Sequence, residues 1–190
     1  MGTRVGVVGV QGDVPEHTTA MRAAFDDEVT VESVRTAGIV PQCDVVAIPG
    51  GESTTISRLL SQTGIDDEIR AHAAAGNPVL ATCAGLIICA STVEDDRVES
   101  LGLLDVSIDR NAFGRQRESF EAPIDIGLSD PYPGVFIRAP RITDVGDAAV
   151  IARLNGEPVA VRQGSVVGAS FHPELTADSR FHRRAVGTAQ

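Results

Sequence analysis

Cys83 ends the apolar run Pro78-Val79-Leu80-Ala81-Thr82 and is followed by Ala84-Gly85-Leu86-Ile87. Strand, cysteine, small residues and apolar helix in that order form the layout of a nucleophile elbow, where a sharp turn presents the reactive side chain. A helix N-terminus behind a thiol favours its thiolate. The backbone N–H of Ala84 would then supply half of an oxyanion hole, and Gly85 would let helix and strand approach closely. The competing reading is a buried structural cysteine, the common fate of a free thiol. Cys43, in a polar loop before a strand, and Cys89, deeper in the same helix, lack the elbow setting.

A second segment, Phe171-His172-Pro173-Glu174, follows a strand-like run. Residues i and i+2 of an extended chain share a face, so His172 and Glu174 are expected side by side. Pro173 biases His172 towards extended backbone. A carboxylate beside an imidazole fixes its tautomer and stabilises the imidazolium formed when the ring takes a thiol proton. Cys83, His172 and Glu174 therefore read as nucleophile, base and orienter. A surface His–Glu pair is the alternative. His17 and His72 fall in helix-like stretches and read as solvated or partly buried, while His182 sits among arginines.

The third segment is Pro49-Gly50-Gly51-Glu52-Ser53-Thr54-Thr55. Its glycines permit close backbone approach, and the helix that follows offers free N–H donors. It could cradle a phosphate, supply an oxyanion donor from Gly51 with Glu52 facing an ammonium, or be a plain turn and cap. It is no P-loop, because GxxxxGK[ST] is missing and the chain has no lysine.

Around these three segments, strand-like and helix-like runs alternate. Strand-like runs cover Arg4–Val10, Val29–Val34, Asp44–Pro49 and Pro78–Thr82. Helix-like runs cover Val14–Phe25, Ser53–Gln62 (opened by hydroxyl cap residues) and Ile65–Ala75. From Leu103 strands dominate: Leu103–Ile108, Ser119–Ile124, Val135–Ala139, Ala149–Leu154, Pro158–Arg162 and Ser165–Phe171. Asn155-Gly156 and Gln163-Gly164 mark hairpin turns, and a last helix covers Ala177–Val186. This order predicts an open α/β sheet, mostly parallel with antiparallel additions. Such sheets carry their sites at the carboxyl ends of the strands, where all three segments lie.

With 190 residues the chain fits one domain, 1–190. Its net charge is −10, and all 16 of its Lys+Arg residues are arginine. Such acidity makes nucleic acid and anionic membrane poor partners. Acidic, lysine-free composition fits a salt-loaded cytoplasm, where screening lengths of ~8 Å or less mute self-repulsion; a GC-rich genome is the other source. No run of ~18 apolar residues offers a membrane span, and the start leads into a strand without a signal-peptide pattern. Three cysteines without framework spacing suit a reducing cytoplasm, and the lack of CxxC argues against zinc.

Taken together, the segments resemble the triad-type (class I) glutamine amidotransferases, and most closely the glutaminase subunit of pyridoxal 5′-phosphate synthase. The likeness spans nearly the whole chain through VGVQGDVPEH (8–17), PGGESTTIS (49–57), ATCAGLII (81–88), RNAFGRQRESF (110–120), GVFIRAP (134–140) and GASFHPELT (168–176). The RN-x-FGRQ and GVFIRAP blocks are more specific than the triad and argue against the glutaminases of histidine or purine synthesis. The resemblance implies a three-layer, flavodoxin-like fold. It implies Cys83 as nucleophile, His172 as base and acid, Glu174 as orienter, and a glutamine site of Gly50, Gly51, Glu52, Arg110, Ile137 and Arg138. An oxyanion hole at Gly51 and Ala84 follows. The implied reaction is hydrolysis of glutamine through a γ-glutamyl thioester, with no metal or bound cofactor. The ammonia would pass to a (β/α)₈-barrel synthase subunit in a large hetero-oligomer, which condenses it with a pentose phosphate and a triose phosphate. Other possibilities are a glutaminase feeding another synthase and a non-catalytic subunit; intact Cys83, His172 and Glu174 count against the latter. Ala81, where many relatives carry glycine, and Pro15, close to Gln11-Gly12-Asp13, depart from the pattern.

Overall fold

The computed structural model describes residues 2–25, 28–110 and 119–187. Five strands form the parallel part of a central sheet: β1 (Thr3–Val8), β2 (Val29–Val34), β3 (Val45–Ile48), β4 (Val79–Thr82) and β12 (Val166–Ala169). β3, β4 and β12 are buried at every residue, as strands covered on both faces must be. β10 (Ala149–Leu154) and β11 (Glu157–Gln163) extend it antiparallel, giving the order β10-β11-β12-β4-β3-β1-β2. The β10–β11 hairpin turns on Asn155 at φ 51° and Gly156 at φ 87°, the paired positive angles that Asn-Gly supplies.

Helices cover both faces, so the expected three layers are present. Val46, Ile48, Val79 and Ala81 point to one side. There they share a core with Ile56 and Leu60 of α2 (Ser53–Thr63), Ile65 and Ile69 of α3 (Ile65–Ala74), and Leu86 and Ile88 of α4 (Ala84–Cys89). Val45, Ala47, Leu80, Val167 and Ala169 point to the other. There they join Met21 of α1 (Val14–Ala24) with Phe181 and Ala185 of α5 (Arg180–Val186). The side-chain alternation of extended chain thus divides one apolar run between two cores.

Three expectations are corrected. Several strands lie outside the main sheet: β6 (Leu104–Asp109) pairs with β5 (Ala90–Val93) and β9 (Arg141–Val145), while β7 (Phe120–Ile124) pairs with β8 (Tyr132–Phe136). β5 and β9 carry no clear strand signal, since both are short and largely solvent-facing. β8 begins three residues before Val135, because Pro133 and Gly134 hide a strand that closes before Arg138 at φ 44°. The last helix starts at Arg180, whose N–H donates to Asp178. Pro15 sits in the first turn of α1, where its missing N–H is harmless. No described helix is long and apolar enough to cross a membrane.

The charge of −10 predicts a salt dependence of the fold. Carboxylate repulsion is unscreened in dilute buffer and muted in molar salt. The melting midpoint is expected to rise from dilute buffer to molar potassium chloride. A gain of about 2 kcal/mol moves it by roughly 4–8 °C at this size. An unchanged midpoint in a thermal melt would assign the missing lysine to genome composition.

Candidate active site

Cys83 sits between β4 and α4 at φ 49° and ψ −104°, a region that sterics disfavour for a residue with a Cβ. Strain of this kind amounts to about 1–3 kcal/mol and persists only where the surroundings enforce it. Here they do. The Cys83 N–H donates to the Ala169 carbonyl at 2.8 Å, and its own carbonyl accepts from Ile87 at 3.2 Å. Gly85 lies so close to β3 that a Cβ there would collide with the Ile48 carbonyl. The other cysteines are chemically quiet: burial pushes the Cys89 thiol up to about 12 and, with Glu32 adding, the Cys43 thiol up to about 11.

His172 follows β12, and its backbone N–H donates to the Val135 carbonyl of β8 at 2.8 Å. Its Nδ1 lies 2.6 Å from Glu174 Oε1. The expected proximity is therefore present, but not by strand geometry: Pro173–Leu175 forms a 3₁₀ turn that folds the Glu174 carboxylate back under the ring. Burial disfavours a charged His172, yet Cys83 and Glu174 outweigh it and hold the ring up to about 10. Burial likewise opposes the Glu174 charge, but His17 and His172 keep its carboxyl well below the usual range. His172 Nε2 is buried without a hydrogen-bond partner among the described residues, leaving it free for the neighbouring thiol.

The glycine loop closes one side. A Cβ on Gly50 would stand 2.7 Å from His172 Cε1 and 2.9 Å from Asp13 Oδ2, so only glycine lets this backbone lie against the ring. Asp13 donates its N–H to the Gly50 carbonyl at 3.2 Å, and Gln11 Oε1 accepts from the Glu52 N–H at 3.0 Å. The Gln11-Gly12-Asp13 turn thereby fixes the loop that carries Gly51, itself at φ 152°. Glu52, rather than the following hydroxyl residues, caps α2. Its carboxylate accepts from the N–H and hydroxyl groups of Thr54 and Thr55, which overcome burial and hold it down to about 2.

Arg110 bridges two acids: Nη1 lies 2.6 Å from Asp95 and Nη2 3.3 Å from Glu52. It thus stands beside the glycine loop despite a sequence separation of 58. Ile137 and Arg138 form the bend after β8, just past the Val135 carbonyl that holds His172, with Arg138 exposed. The rest of the RN-x-FGRQ block, residues 111–116, lies outside the described residues. Asp13, His172 and Glu174 offer donor atoms within 4.8 Å of one another. Because His172 Nδ1 already engages Glu174, this cluster reads as a hydrogen-bonded group rather than an ion cage.

Two neighbours escaped the sequence reading. Asp13 Oδ2 lies 3.8 Å from His172 Nδ1, and burial raises the Asp13 carboxyl. His17 is wholly buried, not solvated, with Nε2 2.9 Å from Thr82 Oγ1 and 3.4 Å from Glu174 Oε2. A signal existed: His17, Met21 and Ala24 repeat at i, i+4, i+7, the period of a helix's buried face. His72 is buried with Nε2 3.2 Å from the Pro78 carbonyl, and His182 is buried within α5.

Residues 7–189 match the SNO glutamine amidotransferase family. The chain belongs to this family. Among curated relatives, the pyridoxal 5′-phosphate synthase subunit PdxT of Halobacterium salinarum is 61% identical over 190 residues, covering 97% of this chain and 94% of the relative. The protein of the same description from Natronomonas pharaonis is 62% identical over 185 residues, covering 94% and 96%. Both are halophilic homologues. A solved structure described as a crystal structure of glutamine amidotransferase superposes with a TM-score of 0.88 at 41% identity, covering 96% of this chain and 97% of that one.

Proposed function

We propose that the chain is the glutaminase subunit of a pyridoxal 5′-phosphate synthase, with Cys83, His172 and Glu174 as its catalytic triad. The observation that carries the triad is the strained elbow cysteine beside an imidazole bonded at 2.6 Å to a buried carboxylate. The Cys83 thiolate attacks the side-chain amide carbon of glutamine, and His172 protonates the departing ammonia. Water, deprotonated by His172, then cleaves the γ-glutamyl thioester and releases glutamate. The N–H groups of Ala84 and Gly51 stabilise the oxyanion at both steps. Ammonia passes to a (β/α)₈-barrel synthase subunit within a hetero-oligomer, in the reducing cytoplasm that three free thiols suit.

Substrate charge supports the assignment of the binding residues. Glutamine carries a carboxylate and an ammonium, and Arg110 and Glu52 present the opposite charges side by side. Ile137 and Arg138 complete the pocket. Arg110→Ala and Arg138→Ala are expected to raise KM for glutamine with little change in kcat, since ground-state contacts are lost. Loss of a charge-assisted bond, about 1.5–3 kcal/mol, corresponds to roughly 10- to 100-fold. Steady-state kinetics confined to a kcat effect would reassign these arginines to catalysis or docking.

The test of the whole reading is ammonia release from glutamine with and without the synthase subunit. A glutaminase that runs without its acceptor wastes substrate, so the partner is expected to complete the site by turning the Gly51 peptide. One oxyanion donor is worth roughly 10²–10³ in kcat, and activation of about that size is expected on complex formation. Full activity of the isolated chain would remove the gating. No ammonia release in either arm would remove the glutaminase reading.

A further inference from the structure

Glu174 has two oxygens, and the triad uses one. Oε1 meets His172 Nδ1 at 2.6 Å, while Oε2 is buried with no hydrogen bond among the described residues, its nearest basic group being His17 Nε2 at 3.4 Å. The carboxylate is fully enclosed, so an oxygen facing no donor would be expensive to bury. We propose that His17 is a positioning residue that holds the second oxygen of Glu174 and ties it to the strand delivering Cys83. The inference rests on the triad reading and adds a member behind it.

The donor chemistry fixes the arrangement. A carboxylate only accepts, so the proton between His17 and Glu174 belongs on Nε2. The same nitrogen makes its hydrogen bond to Thr82 Oγ1 at 2.9 Å, so in this resting geometry its one proton is shared unequally between the threonine hydroxyl and the carboxylate at 3.4 Å. Thr82 is the last residue of β4, is fully buried, and immediately precedes the strained Cys83. One imidazole therefore refers both the orienter and the nucleophile's strand to a single point on α1. Its place there is secured from behind: the His182 ring of α5 packs edge-on at 6.3 Å between centroids. Burial pushes His182 down to about 4, so it presents a neutral face. Without His17, the 3₁₀ turn alone would orient Glu174, and the carboxylate could swing about its bond to His172.

The test uses the complex with the synthase subunit and compares His17→Leu and His17→Met, which lack a donor, with His17→Gln, whose amide places an N–H near the Nε2 position. Misplacement of catalytic groups by about 1 Å costs on the order of 10²-fold, so the donor-free variants are expected to lose about 10- to 100-fold in kcat with KM nearly unchanged. His17→Gln is expected to recover most of that loss. In a Glu174→Gln background, where the held charge is already gone, His17→Leu should add less than about twofold. Wild-type kcat in a folded donor-free variant would overturn the proposal, as would equal losses in the Gln and donor-free variants or a fully additive loss in the Glu174→Gln background. If Leu does not fold, Met and Gln carry the same comparison. Glutamine hydrolysis that survives Cys83→Ala would instead sink the triad reading itself, so the two failures are distinguishable.

Discussion

Replacing Cys83 with alanine is expected to abolish glutamine hydrolysis, a fall of about 10⁶ in kcat of the kind that follows removal of a nucleophile. The same variant, in complex with the synthase subunit, should leave synthesis from added ammonium salts intact. The substitution is clean. Alanine keeps the Cβ, so it adds no strain at φ 49°, and only the sulfur is lost from a side chain at the turn's tip. The contrast lies with the other thiols. Cys43→Ala and Cys89→Ala should keep most activity, because burial holds both thiols in their unreactive protonated form. Cys89 is fully enclosed, so its loss should lower stability instead. Labelling by a glutamine-analogue electrophile decides the matter: modification of Cys43 or Cys89 in preference to Cys83 would refute the assignment.

Loss of the base should be nearly as damaging. His172→Ala is expected to cut kcat by about 10²–10⁴, the usual worth of a positioned acid–base group. Glu174→Gln should hurt less, since the amide preserves the shape of the orienter and removes its charge. The pH dependence gives a sharper reading. In the intact protein burial opposes protonation of His172, but Cys83 and Glu174 outweigh it and hold the ring up to about 10. Removing the Glu174 charge takes away one of those raising influences, so the ring's pKa falls towards its ordinary value. The protonated acid is then lost at lower pH, and the alkaline limb of the kcat profile should move down. The Glu174 carboxyl is itself held well below the usual range, so its own titration leaves the neutral region untouched. A Glu174→Gln enzyme with unaltered kcat and an unmoved limb would remove Glu174 from the triad.

The features whose causes are local were legible along the chain. The central parallel strands are apolar because they are covered on both faces, and β2 and β10 match their expected bounds. The elbow was legible because small residues must follow a cysteine on so tight a turn. The hairpin at Asn155-Gly156 was legible because few residue pairs accept two positive φ angles. Other features depended on partners distant in the chain. Membership of β5, β6, β7, β8 and β9 in two small separate sheets is set by which edge each strand meets, and no local pattern encodes that. His172 and Glu174 were paired correctly for a reason that the 3₁₀ turn replaced. Glu52 read as a carboxylate facing an ammonium; in the structure it caps α2 locally through Thr54 and Thr55, and tertiary packing alone brings it its ion-pair partner Arg110. His17 shows the same limit most plainly. Its helical spacing marks it as inward-facing, but that a carboxylate 157 residues away would meet it follows only from packing α1 against the turn after β12. Spacing along a chain specifies which face a side chain occupies; what that face meets is decided by the layers that close over it.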